Sequence, residues 1–337
     1  MKINIIGCGL AGVTSAISLK EQGHDVEIFE MRDHIAGNCF DKKQDGVTVH
    51  MYGAHIFHSP DKEVWDFVNR YSKFNNYEHK VRANTKDGLI SIPYNKKTTK
   101  QIGRDLSPKE IQDLIFKEYS ERHWGIPWKE LPKSISGRVP NKRENYDDRY
   151  FAEDYQGIPV NGYTEMFKSM LDGIKVNLRV PKKDYKNLKC DKMIYTGKPD
   201  EFFDFSFGKL PYRSLRFEHF WGKRNDDFSF EKGGVINECN NKKFNRTGDN
   251  AVFLNETDLD HTIYTRDYPE EHDETNDPIY PKNFGEGQVT YDKYKQAILS
   301  ENNVVFLGRL ASYKYLDMWM AIKQVMTKLG TNLENKQ

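Results

Sequence analysis

The chain has 337 residues, with 51 Lys and Arg against 50 Asp and Glu, enough for a sizeable core and more than one domain. A charge balance near zero excludes a general binder of nucleic acid or membrane surface, whose phosphate contacts demand a basic excess. No apolar run approaches the roughly 20 residues of a membrane helix, the start MKINIIGCGL leads into a strand rather than a signal peptide, and the four cysteines show no metal-type spacing. These features predict a reduced, cytoplasmic enzyme.

Residues 2–7, Lys-Ile-Asn-Ile-Ile-Gly, read as a buried parallel strand. Residues 11–22 read as a helix with Val13, Ala16, Ile17 and Leu19 on one face, stopped by Gly23, and 25–30 as a second strand. The three make a βαβ unit of about 30 residues. Helical periodicity returns over 60–72 and over 107–123, where Ile111, Leu114, Ile115 and Tyr119 follow a Ser107-Pro108 start. Residues 126–150, rich in Pro, Lys, Arg and Asn, read as a loop that serves as a lid. Short strands and turns fill 176–240. The polar stretch 241–285 holds strand-like pieces at Ala251–Leu254 and Thr262–Tyr264. An apolar strand over 303–308 precedes a helix from about Tyr315 to Leu329.

The strongest local signal is Gly7-Cys8-Gly9-Leu10-Ala11-Gly12, a GxGxxG at the first strand–helix junction. Such glycines allow a tight turn, backbone approach to a pyrophosphate and close helix–strand packing, and the helix N-terminus favours the anion. Glu30 ends the second strand, where a carboxylate accepts from a ribose hydroxyl. Beyond it, Arg32 and the turn at Gly37-Asn38 favour FAD over NAD, as does Gly308-Arg309-Leu310 late in the chain.

Four further strings occur in order: Tyr52-Gly53-Ala54-His55-Ile56-Phe57-His58, Glu121-Arg122-His123-Trp124-Gly125, Tyr155 through Tyr163 (YQGIPVNGY), and Tyr315-Leu316-Asp317-Met318. With the glycine fingerprint they resemble the UDP-galactopyranose mutase family over nearly the whole chain. The resemblance implies an isomerase that interconverts UDP-galactopyranose and UDP-galactofuranose without net redox. In that chemistry N5 of reduced FAD attacks the anomeric carbon, UDP departs, the ring opens and recloses, and UDP returns. The cofactor then carries the reactivity, consistent with the lack of a Ser/His/Asp or paired-carboxylate motif. An electron donor such as NAD(P)H is implied as well.

The same resemblance implies roles for individual residues. Arg138 and Arg246 hold the departing diphosphate, guanidinium being suited to phosphate oxygens. Arg266, in Tyr264-Thr265-Arg266, matches the short string better but precedes a later family segment. Tyr119 stacks on uracil, Trp124 lies beside the sugar, Asn237 belongs to the pocket, and Tyr150, Tyr280 and Tyr315 touch phosphate. His55 and Ile56 run beside the flavin, His55 serving catalysis, while Tyr315, Leu316, Asp317 and Met318 contact the cofactor and Tyr315 and Asp317 also bind the substrate. Three departures stand out: Ala36 replaces a glycine, Asp267 replaces a glutamate, and the interval from Tyr94-Asn95 to Trp124 is short. Larger family members carry a helical insert there that contributes to their dimer, so a homodimer stays open.

The expected fold is α/β. A discontinuous Rossmann-like FAD domain (1–60, 155–210, 290–337) would join a small helical domain (61–125), a lid (126–150) and an antiparallel substrate sheet (80–95, 211–290). Competing functions are a mutase of another nucleotide sugar, a flavin amine oxidase-like oxidoreductase, and an inert nucleotide-sugar binder.

Overall fold

Residues 1–136, 142–223, 233–256 and 258–330 are described by the computed structural model. Five short parallel strands form one sheet in the order β16-β10-β1-β2-β9: β1 (Lys2–Ile6), β2 (Asp25–Phe29), β9 (Lys175–Asn177), β10 (Lys192–Tyr195) and β16 (Val304–Phe306). β1 is buried from Ile3 to Ile6 because helices cover both faces of a parallel sheet. The Leu10–Glu21 helix lies between this sheet and the Met318–Leu329 helix, and every residue from Ala11 to Leu19 is buried. That burial explains why its sequence is apolar or small on all sides. The arrangement is the Rossmann-like α/β fold expected from the sequence.

A second sheet has seven strands in the order β15-β11-β14-β13-β12-β6-β7: β6 (Val81–Thr85), β7 (Gly88–Ile92), β11 (Tyr212–Lys223), β12 (Val235–Glu238), β13 (Arg246–Asp249), β14 (His261–Glu271) and β15 (Tyr280–Pro281). All its pairings are antiparallel except β12 with β6. Two small ladders, β3 (Asp41–Gln44) with β4 (Val47–His50) and β5 (Phe57–Ser59) with β8 (Tyr155–Gly157), complete the strands.

Three local expectations change. Ala251–Leu254 is not a strand: Asn250–Phe253 forms a helical turn, because the Asp249 carboxylate accepts from the Ala251 N–H and caps it. The helical stretch after Ser107 widens into a π turn over Gln112–Phe116 before continuing through Lys117–Trp124. A 16-residue helix, Gly285–Ser300, escaped the periodicity reading because only Gly287 and Tyr294 are buried along it. No described helix is long and apolar enough to cross a membrane, and no described group of His, Cys, Asp or Glu could hold a metal ion.

Candidate active site

The glycine turn at the end of β1 is built for close approach. Gly7 has φ +101°, and a methyl on Gly12 would stand 2.0 Å from the Gly7 carbonyl oxygen, so no side chain fits between turn and helix. No side chain caps the Leu10–Glu21 helix at Gly9, which leaves its first amides for an anion. Glu30 is buried, and its carboxylate accepts from the Cys8 N–H at 2.7 Å and the Arg32 N–H at 2.9 Å. A side chain on Gly37 would meet the Gly9 Cα at 2.8 Å, so these two backbones pack directly against each other in the wall of the cleft. Ala36 adopts φ +72°. The replacement of glycine here is therefore felt in the backbone more than in the added methyl, at about 1 kcal/mol.

Leu10, Ala11, Asn38, His55, Arg309, Leu316, Asp317 and Met318 share this cleft with Gly7, Gly9, Gly12, Glu30 and Arg32. Ile56 does not: it is buried in the hydrophobic core beside the cleft wall, its neighbour His55 alone facing the opening. Arg32 donates to Asn38 Oδ1 at 3.0 Å, pairs with Asp277 at 2.9 Å and lies over the Tyr52 ring, so it ties the end of β2 to the second sheet. Arg309 donates to the Leu316 carbonyl oxygen through Nε at 3.0 Å. Asp317 occupies the N-cap of the last helix without a side-chain bond to that helix.

The tautomer of His55 follows from its partners. Its Nδ1 stands 2.9 Å from the Gly53 carbonyl oxygen, which can only accept, so Nδ1 carries the proton and Nε2 is an acceptor. Loss of hydration, with His50, Arg309 and Arg246 nearby, lowers its pKa to about 3, keeping the ring neutral.

The second sheet places Arg246 by strand parity. Asn237, Arg246 and Asp267 lie directly opposite one another on β12, β13 and β14 and share one face of the pleat. Arg266, one residue away, pairs with Thr247 and Glu218 on the other face, where it lies over the rings of Phe220 and Phe244. Arg246 Nε is 2.7 Å from Asp267 Oδ2. Burial opposes the Arg246 charge, yet the Tyr119 hydroxyl, the Asp267 carboxylate, Tyr280 and Tyr315 outweigh it and hold the guanidinium charged. Burial raises the Asp267 carboxyl above its ordinary value, and Arg246 draws it part of the way back.

Tyr119, Tyr280 and Tyr315 lie near this cation. Tyr280 and Tyr315 stack at 5.3 Å, and Trp124, only 4% exposed, approaches both. Tyr150 receives its place from the His79 carbonyl oxygen, to which its N–H donates at 2.7 Å, and it interacts with Tyr119. Arg138 lies outside the described residues. Two residues were known from sequence only as letters of a motif. Arg122 donates to Asn245 Oδ1, to the Asn240 carbonyl oxygen and to the Glu238 carbonyl oxygen, clamping the turn that leads into Arg246. His123 sits among Tyr119, Trp124 and Tyr280. A donor-rich Arg next to an aromatic-flanked His in one helix was the available signal.

Fold and cleft define a dinucleotide-binding enzyme whose second sheet carries a cation, Arg246, near Tyr119, Tyr280 and Tyr315. Residues 5–71 match the model of NAD(P)-binding Rossmann-like domains, and residues 114–315 match that of UDP-galactopyranose mutase. The chain is 33% identical to the dTDP-fucopyranose mutase of Escherichia coli, over all of this chain and 99% of that protein. It is 32% identical to a protein of Klebsiella pneumoniae described as "Probable UDP-galactopyranose mutase", over 96% and 92%. The crystal structure of a reduced UDP-galactopyranose mutase superposes with a TM-score of 0.77 at 14% identity, covering 99% of this chain and 96% of that one, a likeness of fold. The chain belongs to the UDP-galactopyranose mutase family.

Proposed function

We propose that this chain interconverts UDP-galactopyranose and UDP-galactofuranose with FAD bound in the cleft between its two sheets. The observation that carries this reading is Arg309. It lines the cofactor cleft while its guanidinium lies 5.3 Å from the rings of both Tyr280 and Tyr315, which flank Arg246. One side chain thus links the cofactor cleft to the tyrosines beside Arg246.

The glycine groove fits FAD: Gly9 and Gly37 leave backbone surfaces bare, the helix start offers amides to the pyrophosphate, and Glu30 accepts from the ribose. When bound and reduced, by NAD(P)H or another donor, FAD supplies the nucleophilic nitrogen for the anomeric carbon. The protein's own residues bind and orient. Arg246, charged and backed by Asp267, holds the diphosphate near the sugar while the ring changes size. Tyrosine hydroxyls of Tyr150, Tyr280 and Tyr315 donate to its oxygens, with Arg138 as a second cation. Tyr119 and Trp124 pack on the base and sugar, and neutral His55 offers Nε2 as an acceptor at the cleft wall.

Dithionite-reduced holoenzyme incubated with UDP-galactofuranose should yield UDP-galactopyranose on chromatography; a yellow, reduced protein that gives none refutes the reading. A second substrate, a dTDP-linked 6-deoxyhexose, is favoured by the 33% identity along the whole chain with the dTDP-fucopyranose mutase. Running dTDP-fucopyranose in parallel decides between them by kcat/KM.

A further inference from the structure

Resting on the nucleotide-sugar reading above, we infer that His123 is a substrate contact, its neutral imidazole donating from Nε2–H to a phosphate oxygen of the bound nucleotide. The argument is a chain of forced hydrogen-bond directions. A guanidinium has only donors, so the Arg122 Nε contact at 2.6 Å fixes which end of the Asn245 amide is oxygen. The amide nitrogen therefore faces the other way, toward the Tyr119 carbonyl oxygen at 3.5 Å and His123 Nδ1 at 3.2 Å. Because that nitrogen can only donate, His123 Nδ1 must accept, and the ring proton of a neutral imidazole is left on Nε2.

His123 is 8% exposed, and its Nε2–H has no protein partner among the described residues. It is not among the sealed, unpartnered atoms of the described interior, unlike Nε2 of His50. The groups around the ring are Arg122 and Tyr119 of its own helix, Arg246 on β13, Arg213 on β11 and Tyr280 on β15. A buried donor surrounded by three cations and two phenols suits an anion. Asn245 immediately precedes Arg246, so a single Arg122–Asn245 unit sets both the tautomer of His123 and the entry of the strand that carries the guanidinium.

Binding of UDP to the FAD-loaded protein, measured by calorimetry at about pH 8 so that imidazole stays neutral, tests this without requiring turnover. His123→Phe, which keeps a flat ring and removes the donor, should weaken UDP binding about ten- to a hundredfold, and His123→Gln, which keeps an N–H, should recover part of the loss. Asn245→Asp offers only acceptors, drives the proton to Nδ1 and should mimic His123→Phe, with the tautomer change visible in the 15N NMR spectrum of labelled histidine. UDP binding by His123→Phe within twofold of wild type overturns the inference, even if Asn245→Asp fails to fold. Wild-type protein that binds UDP with this His123 dependence but isomerises no sugar would overturn the mutase reading alone.

Discussion

Acidification should unfold this protein well above the pH at which its carboxylates titrate, because three imidazoles are buried without charge. His50, His79 and His123 are 2%, 6% and 8% exposed, and burial lowers each pKa to about 3, with Arg246 adding to the effect at His79 and His123. Local bonding gives the same direction. His50 Nδ1 accepts from the His55 N–H at 3.1 Å and His123 Nδ1 from Asn245, so a second proton on either ring would break the bond it already holds. An unfolded histidine titrates near 6.5. The unfolded chain therefore binds more protons than the folded one between about pH 6.5 and 3, and stability is fully present above the upper limit and lost as pH falls through that window. From pH 7.5 to 5.5 each ring contributes about 1.4 kcal/mol, or about 4 kcal/mol from these three, and His55, whose ring burial in the cleft also holds neutral, adds to it; that is a large part of the roughly 5–15 kcal/mol that holds a domain. Urea unfolding of the FAD-loaded protein, followed by tryptophan fluorescence at the two pH values, should show that loss. His79→Gln should reduce it by about 1.4 kcal/mol. A difference below about 1 kcal/mol would refute the claim that these rings are held neutral by burial.

Arg246→Ala should leave FAD bound, as seen in its absorption spectrum, while kcat falls about a hundredfold or more, the order expected when a group that holds developing charge is removed. Arg266→Ala, on the opposite face of the same sheet, should keep kcat/KM within about twofold; the reverse outcome would exchange the two assignments. Asp267→Asn keeps the shape but leaves the Arg246 charge unbalanced in a partly buried site, and should destabilise the fold by about 2 kcal/mol in urea titration and raise KM. Gly12→Ala would push a methyl to 2.0 Å from the Gly7 carbonyl oxygen, so the purified protein should be colourless or lose FAD on gel filtration.

Local sequence determined the parts whose interactions are local. Lys2 through Glu30 is a strand, a helix and a strand because apolar runs, glycine and a terminal acid meet within one short unit, and the carboxylate ends 2.7 Å from the Cys8 amide. The order of the motif strings likewise specified the family before any contact was known. Sequence was less informative where burial is sparse or capping overrides propensity. The Gly285–Ser300 helix offers no apolar stripe, and the Asp249 carboxylate turns an apparent strand at Ala251 into a helical turn.

Only the tertiary structure puts the two arginines on opposite faces of the second sheet. The string before Arg266 matches the family pattern better, and only its place ahead of a later segment favours Arg246 in sequence. Pairing of β13 with β14 sets Arg246 opposite Asp267 and Arg266 opposite Thr247, and since side chains alternate across a strand, that register alone sends one guanidinium to one face and the other to its opposite. The tautomer of His123 is decided the same way, by an Arg122–Asn245 contact spanning 123 residues of chain. Chain-distant pairing fixes parity and proton position, which short-range propensity does not encode.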